Sequence, residues 1–177
     1  MALSSTIYKF SISLSDINRN YYDALNLTVA QHPSETVERM MVRVLAFCIH
    51  AEEFLEFTKG LSTPETPDIW SRSLDGVTQL WIEVGEPSYD KLKKASRLAN
   101  EVWVYCFNSK SNSWWEQEQK KMSELNMSVR QFAWKEIESL AAMAERTMDM
   151  SVTISGDSAF VATGQGEVEV NWAILKQ

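Results

Sequence analysis

The chain opens on a two-residue rhythm. In "TIYKFSISL" (Thr6–Leu14), Tyr8, Phe10, Ile12 and Leu14 share one parity, and Lys9, Ser11 and Ser13 share the other. That alternation predicts a half-buried β-strand. A polar turn, "DINRN", follows. "YYDALNLTVAQ" (Tyr21–Gln31) then alternates again, with Leu25, Leu27 and Val29 on one face, so the two segments predict a hairpin. The period changes in "HPSETVERMMVRVLAFCIHAEEF". Val37, Met40, Met41, Val44, Leu45 and Cys48 recur at helical spacing, Pro33 suits a first-turn position, and Ser34 and Glu35 suit a helix start. Glu35, Arg39 and Arg43 form a charged row at i,i+4 spacing along this helix.

Beyond it, "FLEFTKG" reads as a short strand ending at Gly60, and "LSTPETP" (Leu61–Pro67) as a turn-rich loop. "DIWSRSLDG" predicts a strand leading to a turn at Asp75-Gly76. Two strongly apolar strands, "TQLWIEVG" and "EVWVYCF", flank a helix, "SYDKLKKASRLANEV", with Leu92, Ala95 and Ala99 inward. A right-handed parallel crossover is the default for such a unit. A helix ("SNSWWEQEQKKMSEL"), a strand ("NMSVRQF"), a further helix ("AWKEIESLAAMAERT") and two or three alternating strands complete the chain. The pattern shows no repeat, linker or low-complexity tract. It predicts one α/β (α+β) domain over residues 1–177, a mixed central sheet with flanking helices and β-hairpins at both termini.

Composition narrows this little. The 177 residues suffice for a core, and 45% hydrophobic with 23% charged residues is ordinary globular usage. The longest apolar stretch, Met40–Ile49, is broken by Arg43 and is too short for a bilayer. The amino-terminal stretch alternates and lacks the basic start of a signal peptide. A cytoplasmic protein with no membrane partner is therefore expected. A net charge of −7 counts against broad, non-specific nucleic-acid binding, though not against a local basic strip. Cys48 and Cys106 lie among apolar residues and read as buried free thiols. There is no CxxC, HExxH, GxGxxG or P-loop, and His32 and His50 are the only histidines. A zinc site or a Ser-His-Asp triad is poorly supplied; any metal would need carboxylates, hence a hard ion such as Mg²⁺ or Mn²⁺.

The chemistry concentrates at Glu83, a lone charge among Leu80, Trp81, Ile82 and Val84. An unpaired carboxylate in such a strand is costly. Two readings stay open: a buried ion pair with Lys91, Lys93, Lys94 or Arg97 of the next helix, or one acid of a functional site. Glu38, on the shoulder of the first helix's apolar stripe, reads as a flanking surface charge or as a metal-reaching acid. Asp68 and Asp75 could each join Glu83, and each suits a turn; for Asp75, before Gly76, the turn is the stronger reading. The lysines around Lys94 read as a solvated face or as phosphate contacts, with Lys110 extending the strip. The seven tryptophans, spaced among aliphatics, read as core or subunit contacts and not as base-stacking platforms.

"HPSETVERMMVR", "FTKGL", "WIEVGEP", "KKAS", "YCFNSKSNSWW" and the "NMSV" segment together resemble the YaeQ family of bacterial proteins, over essentially the whole chain. The resemblance implies a compact variant of the PD-(D/E)XK nuclease fold, with a restriction-endonuclease-like core, in a family of unestablished activity associated loosely with transcription antitermination. Carried over, it implies Glu38 as helix acid, Glu83 as strand acid and Asp68 as the intervening acid, together holding Mg²⁺ or Mn²⁺. Lys94 would be the catalytic lysine, and Arg39, Arg43, Lys93 and Lys110 the nucleic-acid or phosphate contacts. The chain departs from the nuclease pattern twice. Gly85 stands where a lysine belongs two residues after the strand acid, and Gln79 stands where many relatives carry an acid. The implied function is a divalent-metal-dependent phosphodiesterase on nucleic acid. The alternative is an inactive nuclease-like module that binds nucleic acid or a transcription-related protein.

Overall fold

The computed structural model describes residues 3–59, 61 and 63–177. Their order is β1 (Thr6–Asp16), β2 (Tyr21–Gln31), α1 (Val37–Ile49), β3 (Leu55–Phe57), β4 (Ile69–Arg72), β5 (Thr78–Val84), α2 (Tyr89–Leu98), β6 (Ala99–Cys106), α3 (Ser111–Met122), β7 (Ser128–Phe132), α4 (Trp134–Ala142), β8 (Thr147–Ser155), β9 (Ser158–Thr163) and β10 (Gly166–Lys176). The fold is mixed α+β. Its packing resolves into two compact units, Met1–Ile49 with Ala133–Trp172, and His50–Phe132 with Ala173–Gln177. The expected end of the third strand at Gly60 lies outside the described residues.

In the first unit the strands run in the order β2-β1-β8-β9-β10. β1 and β2 form the predicted hairpin, in register from Thr6↔Gln31 to Asp16↔Tyr21. On its other side β1 lies parallel to β8, from Lys9↔Thr147 to Asp16↔Ile154, so the two terminal hairpins share one sheet. The alternation in β1 buries Phe10, Ile12 and Leu14, and that in β8 buries Met150, Val152 and Ile154. Helix α1 packs on α4.

Helix α1 starts later than its sequence suggests. Thr36, not Ser34, caps it: the Thr36 hydroxyl accepts the Arg39 N–H at 3.2 Å. Glu35 is thereby left before the helix, where it is buried. Its carboxylate accepts from Arg39 at 2.5 Å and from Arg43 at 2.6 and 2.9 Å. Arg43 also donates to the Ala30 carbonyl at 3.0 Å and is only 4% exposed. The charged row expected to meet phosphate is therefore an inward-facing triad. Arg43 has no free face for a nucleic acid, and Arg39 is held by the same acid.

In the second unit the order is β7-β6-β5-β4-β3. β3, β4 and β5 form an antiparallel meander, and β5, β6 and β7 are mutually parallel. Leu80–Val84 are buried without interruption, as expected of a parallel strand covered on both faces. Ser88 caps α2, its hydroxyl accepting the Lys91 N–H at 3.2 Å. Leu92 and Ala95 enter a core with Trp81, Val102, Val104, Cys106, Met122 and Val129. Ala99, expected in the helix, is already extended and begins β6. Cys48 and Cys106 are free and buried, and burial pushes both thiols up to about 12. Among the described residues no helix is long and apolar enough to cross a membrane.

Removing Arg43 leaves a buried carboxylate short of a partner. Arg43→Met is expected to destabilise the protein by about 3–5 kcal/mol in urea denaturation. A loss under about 1 kcal/mol, the range of an exposed pair, would contradict the burial of this triad.

Candidate active site

The pairing of β4 with β5 sets two acids side by side. The register runs Trp70↔Trp81 and Ile69↔Ile82, and Asp68, just before β4, lies near enough to Glu83 for its charge to act on that acid. The β4–β5 pairing is irregular at Asp68: its N–H donates at 3.0 Å to the carbonyl of Ile82, the residue that Ile69 faces, while its carbonyl accepts from the Thr58 N–H at 3.1 Å. The Asp68 carboxylate turns back on the strand and accepts the Val84 N–H at 2.8 Å. Glu83 Oε1 accepts from the Trp81 indole N–H at 2.9 Å and from the Lys91 ammonium at 3.1 Å. Each acid is 3% exposed.

Burial, and then the negative charge of Asp68, raise the Glu83 pKa from 4.5 to about 7; Lys91 and Trp81 offset part of that rise. Glu83 is thus poised to gain or lose a proton near neutral pH, which suits a group that handles protons or answers a newly arrived charge.

Lys91, not Lys94, meets Glu83, and the topology explains why. Because β5 and β6 are parallel, α2 must carry the chain back from the carboxyl end of β5. Glu83 is the next-to-last residue of β5, so only the first turn of α2 stands over it. Each further turn moves about 5.4 Å along the helix axis. Lys94 lies in the next turn and pairs with Glu65 at 2.7 Å on the surface, with both side chains mostly exposed. Gly85 explains why no lysine follows the strand acid directly. Its φ of +110° strains any residue with a Cβ, and its N–H is fixed to the Tyr105 carbonyl at 2.8 Å.

The other expected residues have the following surroundings. Glu38 sits half-buried in the first turn of α1, in the first unit, while Asp68, Glu83 and Lys91 all belong to the second. Asp75 is exposed in its turn, where the Ser73 hydroxyl donates to it and lowers its pKa. Gln79 is exposed near the start of β5 and accepts from Asn100 at 2.6 Å. Lys93 is exposed with its ammonium 5.8 Å from the Tyr89 ring centre. Lys110 is exposed at the amino end of α3. Among the described residues no three His, Cys, Asp or Glu side chains cluster around a common point where a metal ion could sit. Lys91 is one of the four bases that the sequence offers as an ion partner for Glu83, and it is the one that takes the place; Trp81 as a donor is missed by sequence reasoning. The signal that singles Lys91 out from the other three bases is its place three residues after the Ser88 cap.

The shift at Glu83 has a sign that can be checked. Its folded pKa lies above its unfolded one, so its relative contribution is fullest below about 4.5 and is lost as pH rises through about 7. Between those values wild-type stability is expected to fall by up to about 3 kcal/mol from this group. Glu83→Gln, which still accepts from Trp81, is expected to remove that slope: near wild-type in urea melts at pH 4.5, and more stable than wild-type at pH 8. An unchanged slope in the variant would contradict the buried, repelled carboxylate.

The chain matches the family model described as "YaeQ protein" over residues 1–172. It is 38% identical over 179 aligned positions to the uncharacterized protein YaeQ of Escherichia coli (strain K12), covering 100% of this chain and 99% of the relative. The crystal structure of YaeQ from Xanthomonas axonopodis pv. citri superposes with a TM-score of 0.94 at 33% identity, over 98% of this chain and 99% of that one. YaeQ from Pseudomonas syringae gives 0.93 at 35% identity, over 98% and 97%. With its family model matched along nearly its full length and its fold shared at this closeness, the chain belongs to the YaeQ family.

Proposed function

We propose that Asp68, Glu83 and Lys91 form the working site of a divalent-metal-dependent phosphodiesterase acting on nucleic acid, on a variant of the PD-(D/E)XK nuclease core. The observation that carries this reading is the juxtaposition of Asp68 and Glu83 in a buried setting, with the Glu83 pKa raised in part by Asp68. The order β3-β4-β5-α2-β6, with one acid just before β4 and the other on β5, supports the same reading.

The donor chemistry fits Mg²⁺ or Mn²⁺. Asp68 and Glu83 offer hard carboxylate oxygens, and their mutual repulsion is what a divalent cation relieves. Two carboxylates suffice for an ion that keeps several of its waters. Such an ion, when bound, supplies Lewis-acid activation of water and of a phosphoryl oxygen. The chain's own groups do the rest. The Val84 N–H and the Trp81 indole orient the two carboxylates. Lys91, displaced from Glu83, offers its ammonium to a non-bridging phosphate oxygen. With the ion held, Glu83 would stay ionised as a ligand, since the cation offsets the burial and the Asp68 charge that raise its pKa.

A second reading is favoured by the Lys91–Glu83 pair itself, together with Gly85. The ammonium already compensates the acid that the ion would use, as in a site retained only for holding nucleic acid or a transcription-related protein.

Calorimetric titration with Mn²⁺, alongside cleavage assays on single- and double-stranded DNA and RNA, separates the two. The phosphodiesterase reading expects Mn²⁺ binding that is lost in Asp68→Asn and Glu83→Gln. It also expects cleavage that falls about 10²-fold or more in both variants and in Lys91→Met. Cleavage indifferent to Asp68→Asn and Glu83→Gln would belong to a contaminant and sink this reading. Absence of Mn²⁺ binding up to millimolar concentration would favour the binding module.

A further inference from the structure

The first unit ends in an open strand. β2 is the terminal strand of its sheet order and runs eleven residues, Tyr21–Gln31, without proline or glycine and with Asp23 as its only charge. Natural edge strands of this length are usually blunted by lysine, proline, a bulge or shortness.

Which backbone groups face outward follows from three contacts. The Lys9 N–H donates to the Arg146 carbonyl, toward β8, so its partner Thr28 also points away from β1. The Ala24 N–H is taken by the Asp23 carboxylate at 2.8 Å, and the Ala30 carbonyl by Arg43 at 3.0 Å. Hence Tyr22, Ala24, Asn26, Thr28 and Ala30 present their N–H and C=O groups to the open edge. Leu25 and Leu27, on the alternate face, are only half-buried, although their ladder partners Ile12 and Phe10 are fully buried. Unpaired backbone and uncovered leucine therefore lie along the same edge.

We infer that β2 pairs antiparallel with β2 of a second copy of this chain, about a two-fold axis through Leu27. The capped groups select this occupant and this register. With the axis at Leu27, Asn26 faces Thr28 of the second copy, and Ala24 faces Ala30. The donor already used, Ala24 N–H, then meets the acceptor already used, Ala30 C=O. The open Ala30 N–H meets the open Ala24 C=O. Moving the axis to Asn26 would set the used Ala24 N–H against an open Thr28 carbonyl and leave it unpaired. In the Leu27 register the half-exposed Leu27 meets its own copy, and Leu25 lies opposite Val29, which its own chain already buries. Asp23 faces Gln31, so no like charges meet across the strand pair.

Light scattering on an eluting sample tests this, since the monomer mass is 20.3 kDa. At high micromolar concentration the wild type is expected at twice that mass. The amides of Asn26, Thr28 and Ala30 are expected to exchange hydrogen more slowly as concentration rises. Thr28→Pro removes only an outward N–H, which an edge strand tolerates, and is expected to return the mass to that of a monomer with an unchanged circular dichroism spectrum. Asn26→Lys, which crowds two ammonium groups near the axis, is expected to do the same where proline disturbs the strand. A wild type that stays monomeric at every concentration overturns the inference. So does a dimer whose Asn26 and Thr28 amides exchange freely.

Discussion

Two parallel strands cannot be joined by a tight turn, and the second unit is organised around that constraint. β5 and β6 are parallel, so a helix must carry the chain from the carboxyl end of one to the start of the other. The helix begins where β5 ends. Its first-turn lysine, Lys91, therefore stands over Glu83, and its second-turn lysine, Lys94, is carried out to Glu65 at the surface. Gly85 makes the corner possible with a φ of +110°. The same corner denies a side chain to the position where the nuclease pattern has lysine. A basic group at this acid has to come from the helix.

The two units handle buried acids in opposite ways. Glu35 is met by two guanidiniums, with a bidentate grip from Arg43. Its charge is more than balanced, and it has nothing left to offer a ligand. Glu83 receives one half-exposed ammonium and an indole N–H, and it faces a second buried carboxylate. The balance at Glu83 is negative, and its pKa records the imbalance. A structural ion pair minimises such a deficit; a site that awaits a cation or a proton retains it.

Much of this was legible beforehand because it is local. The alternation of Phe10, Ile12 and Leu14, the apolar run Leu80–Val84 and the helical stripe from Val37 to Cys48 each report a period that their own elements obey. Glu83 stood out for the same reason: a charge in an apolar run needs an explanation. What was not legible depends on partners distant in sequence. Nothing in β1 announces that it will lie parallel to β8, because parallel pairing leaves no turn signature. Arg39 and Arg43 share the spacing of a surface charge row; only the packing that buries Glu35 and Arg43 together turns the row inward. Lys91 and Lys94 have equal claims by composition and differ only by where the helix starts.

The sheet edges extend the same argument from site to surface. β3, the terminal strand of the second unit's order, has three residues, too few to template another chain, and shortness is itself a protection. β2 has eleven, and among the described residues its outward groups find partners only at Ala24 and Ala30. Those two caps sit symmetrically about Leu27, three residues to either side. Caps placed symmetrically toward the flanks, one on a donor and the other on an acceptor, block most registers and spare the one in which each faces the other. The edge is therefore selective toward a copy of itself, by the same economy that leaves Glu83 short of one positive charge: in both places an incomplete set of partners specifies what can complete it.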